Sequence, residues 1–183
     1  MIHAAAMGMV GCLILLICLD RAGAFGDRSR DWDAFNRRAF PVVKVISGDE
    51  LIIRDERGIE QTVSLLGVDA PDPPVGYWSA QAAEYLTNRT RGRTVIISFD
   101  TTRSRDSRGN LLAYVFITDG DNLNLDIIRD GQAYADRRKQ HTLKSQFSTV
   151  ETEARKKPRG LWKELKFEDM PVWRQEWVRS LKR

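Results

Sequence analysis

The stretch that decides the fold is IEQTVSLLGVDAPD, residues 59–72. Residues 59–68 carry the Ile, Thr, Val and Leu side chains typical of a strand, and the Asp and Pro residues after them end it. Two similar runs precede it at residues 42–46 and 50–54, and short turns that contain Gly and Asp separate the three runs. Three short strands joined by such turns predict a β-meander.

The chain downstream of this meander predicts one helix and then two more strands. Apolar residues between Trp78 and Leu86 recur at helical spacing. Strand patterning returns at residues 95–99, where apolar side chains alternate along one face, and residues 111–117 form the fifth predicted strand.

Two further helices are predicted after the fifth strand. We expect Asn124 to cap a short helix at residues 125–130, and Pro158 to end a longer helix at residues 142–157. Five strands with a helix between the third and the fourth, followed by helices, are typical of an OB-type barrel. The sequence therefore predicts a mainly β fold with helices (α+β): a five-stranded OB-type barrel plus about three helices.

The first 24 residues are typical of a targeting segment. Residues 4–19 form an uncharged apolar run of 16, and the small residues Ala22, Gly23 and Ala24 follow it as a cleavage signal. Because a membrane span needs about 20 residues, we favour a signal peptide at residues 1–24 and keep a membrane anchor as the alternative. Either predicts an exported protein, secreted, periplasmic or associated with the cell envelope, with a polar tether at residues 25–40.

The composition limits the function classes. The chain has 183 residues, 42% hydrophobic and 30% charged, which excludes collagen-like, low-complexity and wholly disordered proteins. Its length allows one domain of common size plus extensions. Both cysteines, Cys12 and Cys18, lie within the targeting segment, and His141 is the one histidine beyond it. A chain without that segment therefore has no disulfide and no ordinary structural zinc site.

The basic character of the chain belongs to its C-terminal part. Residues 25–154 carry 18 Lys and Arg against 20 Asp and Glu, whereas residues 155–183 carry 10 against 4. Residues 167–183 form a basic amphipathic extension in which Trp173 and Trp177 recur at near-helical spacing. One interpretation is a helix that packs its two Trp side chains on the barrel. The other is a surface for a membrane, nucleic acid or a protein partner.

Five motifs in this order and spacing resemble staphylococcal nuclease and its relatives. They are VISGD at 45–49, LLGVDAPD at 65–72, DSRGNLLAY at 106–114, NLDIIRDG at 124–131 and EARKKPRGLW at 153–162. The match covers residues 42–162, so we expect a nuclease-like domain at residues 41–166. The resemblance implies a Ca²⁺-dependent phosphodiesterase that acts on DNA and RNA, and we expect a monomer.

The resemblance also implies the roles of three aspartates. Asp49 and Asp69 match the pair that holds Ca²⁺, a hard cation that prefers oxygen ligands. Asp72 matches the carboxylate that works on the attacking water, which is usually the longer Glu. Without the resemblance, aspartates beside Gly and Pro also fit turns and helix caps, and that interpretation stays open.

Two arginines that the family uses to clamp phosphate are replaced in this chain. Ser64 and Asn110 stand at these degenerate catalytic positions. Because loss of one such donor typically costs about 10²–10³ in rate, we expect hydrolysis to be weak or lost. Arg108 and Arg105 lie close to Asn110 and are candidate nucleic-acid-binding residues; a solvated loop is the alternative interpretation.

Three functions are compatible with these residues. The first is an exported nuclease-like domain that binds nucleic acid or metal with weak or lost hydrolysis. The second is a competent Ca²⁺-dependent endonuclease or exonuclease with an altered phosphate clamp. The third is an inert protein-interaction module in which the cleft is merely structural.

Overall fold

The computed structural model describes residues 26–72, 76–100, 103–117 and 120–181. The predicted signal peptide or anchor at residues 1–24 lies outside them. The described residues divide into two compact units, one that ends at residue 36 and one that begins at residue 37. Across the described ranges, we find no helix that combines the length and the apolar character of a membrane span.

The predicted tether at residues 25–40 is wrong in part. Helix α1 spans Gly26–Phe35 in the first unit, and strand β1 already begins at Arg38 in the second. The helical stretch is strongly polar but contains neither proline nor a β-branched residue, so it forms a helix without apolar periodicity. The strand starts early because residues 38–41 pair with residues 94–97.

The second unit is built on a closed five-stranded barrel, as the sequence predicts. Its strands are β1 (Arg38–Val45), β2 (Glu50–Arg54), β3 (Glu60–Leu65), β5 (Thr94–Ser98) and β6 (Leu111–Ile117). They follow one another around the barrel as β1-β2-β3-β6-β5. The β3–β6 pair is parallel and the other pairs are antiparallel.

The predicted third strand at residues 59–68 is interrupted at Gly67. The barrel strand β3 ends at Leu65, and a separate strand β4, Val68–Asp69, pairs with β7, Tyr134–Ala135. Gly67 has a φ of +75°, and a Cβ there would lie 2.5 Å from His141 Nε2. The turn at Gly67 thus carries Asp69 out of the barrel wall.

Five α-helices lie within the described residues, where the sequence predicts about three beyond the tether. After α1 come α2 (Gly76–Thr90), α3 (Leu123–Arg129), α4 (Lys144–Lys156) and α5 (Val172–Ser180). Helix α4 begins later than predicted, because Thr142 instead donates its backbone N–H and hydroxyl to the Asp100 carboxylate.

The predicted cap of α3 is wrong by two residues. Asn122 caps the helix, and its side chain accepts a hydrogen bond from the Leu125 N–H. Asn124 lies buried inside the helix, where its Oδ1 accepts from the Val115 N–H at 2.8 Å. Its amide donates to the carbonyls of Leu66 at 2.9 Å and Ala113 at 3.1 Å. Asn124 therefore ties α3 to the barrel instead of ending a helix.

His141 is a packing residue ahead of α4. Its Nδ1 lies 2.9 Å from the Tyr114 hydroxyl oxygen, and its ring centroid lies 4.9 Å from that of Phe147. Burial lowers the pKa of the imidazole, so the neutral ring is favoured.

Helix α5 packs against the domain through a buried arginine. Arg174 is 0% exposed, and its Nη1 donates to Glu151 Oε1 of α4 at 2.7 Å. Its guanidinium carbon lies 4.7 Å from the Trp177 ring centroid and 5.8 Å from that of Trp173. The helix of the first interpretation is observed, and it packs Trp173 against Tyr134 and Trp177 against Arg137, whereas the interpretation as a binding surface stays a prediction.

Arg174→Ala is expected to lower the free energy of unfolding by about 3–5 kcal/mol, because it leaves the Glu151 carboxylate buried without this partner. Urea denaturation measures the change. Arg179→Ala removes an exposed arginine from the same helix and serves as the control, with an expected change within about 0.5 kcal/mol. Equal effects of the two substitutions would contradict a central role for the buried pair.

Candidate functional site

A cleft of about 200 Å³ opens where the barrel meets the β4–β7 pair. Eight charged side chains that the structure describes line it: Asp49, Glu50, Asp69, Asp106, Asp136, Arg108, Arg138 and Lys139. Five carboxylates against three cations give this lining a formal net charge of −2. The cleft therefore attracts cations and by itself repels a phosphodiester.

Asp49 lies in the turn between β1 and β2. Because Gly48 has no side chain, this turn can pack close to its neighbours. A Cβ on Gly48 would lie 2.4 Å from Ala82 Cβ of α2 and 2.8 Å from Ala70 Cβ. Any larger residue would thus push the turn away from both neighbours. The close approach brings Asp49 next to Ala70, whose N–H lies 3.3 Å from Asp49 Oδ2.

The structure brings Asp49 and Asp69 into the same cleft. The Ser47 hydroxyl donates to Asp49 Oδ1 at 2.7 Å. Burial raises the pKa of Asp49 to about 6, although this hydrogen bond opposes the shift, and the negative charges of Asp69 and Glu50 raise the pKa further. Asp49 thus accepts hydrogen bonds from Ser47 and Ala70 and lies in the same cleft as a second carboxylate, that of Asp69.

Asp69 already has partners on both oxygens. Its Oδ1 accepts from Arg138 Nη2 at 2.6 Å, and its Oδ2 accepts from the indole N–H of Trp173 at 2.9 Å. Burial nevertheless raises the pKa of Asp69, while the Trp173 hydrogen bond and the Arg138 charge oppose that shift. Arg138 also pairs with Asp136, through Nε at 2.8 Å.

Ser64 and Asn110, the positions at which the resemblance implies arginines, contact each other. Asn110 Nδ2 donates to Ser64 Oγ at 3.3 Å. The Ser64 hydroxyl lies 3.1 Å from Asp106 Oδ2 and 3.2 Å from Glu50 Oε1, so its proton is shared between two carboxylates. These short neutral side chains fill the positions with local hydrogen bonds and supply no positive charge.

Arg108 places a guanidinium at the end of the cleft where Ser64 lies. It donates to the Glu50 carboxylate and to Asp106 Oδ2, the latter at 3.3 Å, and its side chain is 63% exposed. Arg105 lies outside the cleft lining and donates to the Gly109 carbonyl at 2.7 Å. The structure therefore brings Arg108, but not Arg105, to the aspartates.

Asp72 is not brought into the cleft. Its side chain is exposed, and it does not belong to the cleft lining. It directly precedes residues 73–75, which lie outside the described part of the chain. A role for Asp72 at the attacking water stays a prediction.

Sequence reasoning misses several residues of the site, Glu50 and Lys139 among them. Asp106 opens the 106–114 motif, so the motif is visible in the sequence but the role of this residue is not. Asp136 and Arg138 follow a strand of only two residues, which has no periodicity to reveal it. Trp173 belongs to a recognisable amphipathic segment, but no local pattern connects it with Asp69, 104 positions earlier.

The donor set fits a hard divalent cation in its chemistry. Asp49 and Asp69 offer carboxylate oxygens, which Ca²⁺ prefers, and the net charge of −2 matches the charge of such an ion. In the described residues no group of three or more His, Cys, Asp or Glu side chains is arranged to hold a metal ion. The pair would therefore need backbone or water oxygens to complete a coordination shell.

Asp49→Asn is expected to change how stability depends on pH. The raised pKa means that folded wild-type protein loses stability as pH rises from about 4 to about 6, because the buried carboxyl ionises there. The variant lacks this titration, so its stability relative to wild type should rise over that window by roughly 3 kcal/mol at most. Urea unfolding at pH 4, 5, 6 and 7 measures the difference, and a flat difference would contradict the raised pKa.

Several known proteins similar to this chain carry nuclease names. An uncharacterized endonuclease of Escherichia coli O157:H7 is 30% identical over 134 residues, covering 72% of this chain and 80% of that protein. The thermonuclease of Staphylococcus intermedius is 29% identical over 133 residues, with 68% and 76% covered. The thermonuclease of Staphylococcus hyicus is 25% identical over 133 residues, with 69% and 77% covered.

The family described as staphylococcal nuclease homologue matches residues 62–164. This match begins within β3 and ends after α4. It therefore includes strand β4, which carries Asp69, and the motif that contains Arg108. On this match, and on the closed barrel beneath it, the chain belongs to the staphylococcal nuclease family.

Proposed function

We propose that this chain binds the phosphodiester backbone of DNA or RNA in the cleft, with a divalent cation at Asp49 and Asp69, and hydrolyses it slowly. The observation that carries the proposal is the hydrogen bond between Ser64 and Asn110. The two aspartates meet in the cleft, while the two positions that would clamp the phosphate hold only each other and nearby carboxylates. Binding groups are thus retained and transition-state groups are lost.

The charge of the cleft makes cation and substrate binding interdependent. With a lining of net charge −2, an anionic backbone is repelled until a cation occupies the cleft. Bound Ca²⁺ would neutralise the carboxylates and polarise the phosphate oxygen. The aspartates hold their orientation through Ser47 and Ala70 on one side and Arg138 and Trp173 on the other.

Arg108 is the residue that we assign to the phosphate. It contacts the same two carboxylates as Ser64, those of Glu50 and Asp106, and its exposed guanidinium lies at the cleft lining. Its pairing with these carboxylates must loosen before it contacts a phosphate, and this competition lowers its contribution to rate. A slow hydrolase therefore fits the geometry better than a fully active one.

Export is part of the proposal. The uncharged run of 16 residues at 4–19, followed by small residues, supports a signal peptide or an anchor that places the domain outside the cytoplasm.

Purified full-length protein is expected to cleave single-stranded DNA and RNA slowly in Ca²⁺, and not in a chelator. Asp49→Ala should abolish cleavage, because it removes one of the two carboxylates assigned to the cation. Denaturing gels with end-labelled substrates measure the rate. Cleavage that survives the chelator would refute the role of the cation. If the protein cleaves neither substrate and its binding to single-stranded nucleic acid does not weaken as the salt concentration rises, nucleic acid is refuted as the ligand. The protein-interaction module is then favoured.

The double variant Ser64→Arg with Asn110→Arg is expected to raise the cleavage rate on the order of 10²-fold or more, since each restored donor is worth about 10²–10³. Arg108→Gln in the wild-type background is the matched control and should lower the remaining rate. Circular dichroism establishes that the double variant folds. A folded double variant with no gain would show that the loss of the arginines does not limit hydrolysis.

A further inference from the structure

The carboxylate of Asp69 is held by two residues that come from outside the barrel. Arg138 follows β7 and donates to Oδ1 at 2.6 Å, and Trp173 belongs to α5 and donates to Oδ2 at 2.9 Å. We refer to Arg138 and Trp173 together as the Asp69 clamp. Helix α5 begins at Val172, beyond the family match that ends at residue 164, so half of the clamp lies outside the matched region.

The guanidinium of Arg138 is fixed from several sides. Its Nε and Nη2 lie 2.8 Å and 3.2 Å from the two oxygens of the buried Asp136 carboxylate. Its guanidinium carbon lies 4.7 Å from the ring centroid of Trp173, in cation–π range. The indole therefore both donates to Asp69 and supports the arginine that pairs with Asp69.

The position of Trp173 is itself fixed by its neighbours on α5. Arg174 pairs with Glu151 in the core at 2.7 Å, and the Arg137 guanidinium carbon lies 4.0 Å from the Trp177 ring centroid. Two consecutive arginines after β7 thus contact two Trp residues four positions apart on one helix. This packing fixes the position of the clamp within the folded domain.

We propose that Arg138 is the protein's own cation at Asp69, positioned there by Trp173, and that it competes with a divalent cation for this carboxylate. The proposal rests on the proposed function, because it concerns the same cleft. A divalent ion at Asp69 meets the positive charge of Arg138 at short range, and the two repel each other. Since Arg138 is 48% exposed, it has room to turn away from Asp69 while keeping Asp136.

The clamp therefore sets the divalent-ion affinity of the cleft. Arg138 must give up a charge-assisted hydrogen bond, one of the stronger kinds, when the ion binds. Trp173 opposes that movement through its ring and occupies Oδ2 through its N–H. Arg138 and Trp173 are thus positioning residues, which act through Asp69 and not on the substrate.

The test is a calorimetric titration of full-length protein with Ca²⁺ alone. Arg138→Gln is expected to bind Ca²⁺ on the order of tenfold or more tightly than wild type, because it removes a unit charge next to the ion. Arg108→Gln removes the same charge from the same cleft but has no contact with Asp69, and its affinity gain should be clearly smaller. Trp173→Phe keeps a ring, loses the N–H donor and should fall between wild type and Arg138→Gln.

Equal Ca²⁺ affinity in wild type and Arg138→Gln, with both folded by circular dichroism, would overturn the proposal. An equal gain in Arg108→Gln would also overturn it, since the effect would then come from the general charge of the cleft. Absence of Ca²⁺ binding in every variant at millimolar concentration overturns it as well.

If Arg138→Gln binds Ca²⁺ more tightly and the wild-type chain cleaves no nucleic acid, the clamp stands and the proposed hydrolysis fails. If the wild-type chain cleaves in Ca²⁺ and Arg138→Gln shows no affinity change, the hydrolysis stands and the clamp fails.

Discussion

The buried carboxylate of Glu151 connects the parts of the structure that form the cleft. It accepts from the Ala135 N–H of β7 at 3.0 Å, from Arg137 at 3.1 Å and from Arg174 of α5 at 2.7 Å. A carboxylate without exposure is costly unless it is paired and hydrogen-bonded, and these donors meet that requirement. One α4 residue thereby holds β7, the segment after it and α5 together.

Strand β7 connects Glu151 with the site. Tyr134 and Ala135 pair with Asp69 and Val68 of β4, so the strand that Glu151 anchors also places Asp69. The same anchoring orients Trp173 toward Asp69 Oδ2. The cleft thus depends on a buried charge whose own position lies outside it, and α5 is a structural part of the domain even though the family match ends before it.

Charge pairing dominates the lining of the cleft. Ser64 and Asn110 bring no positive charge to it, and the two arginines of the lining are bound to carboxylates: Arg108 to Glu50 and Asp106, Arg138 to Asp69 and Asp136. Such paired arginines are less available to a phosphate than free ones. Under the proposed function, such a cleft would keep oxygen donors for a cation while offering fewer groups to stabilise the charge that builds up on the phosphate.

The five barrel strands can be predicted from the amino-acid sequence, because alternation and β-branched content are local properties of each strand. It also indicated Asp49, Asp69, Asn110 and Arg108, which lie within short motifs that resemble the family, and Ser64, which directly precedes one of them. It missed the break at Gly67, which the close approach of His141 imposes, and it misjudged Asn124, whose partners are barrel backbone groups. The contacts of Arg138 and Trp173 with Asp69 are visible only in the folded protein. They join residues 69 and 104 positions apart, and such contacts depend on how separate elements pack and leave no trace in local spacing.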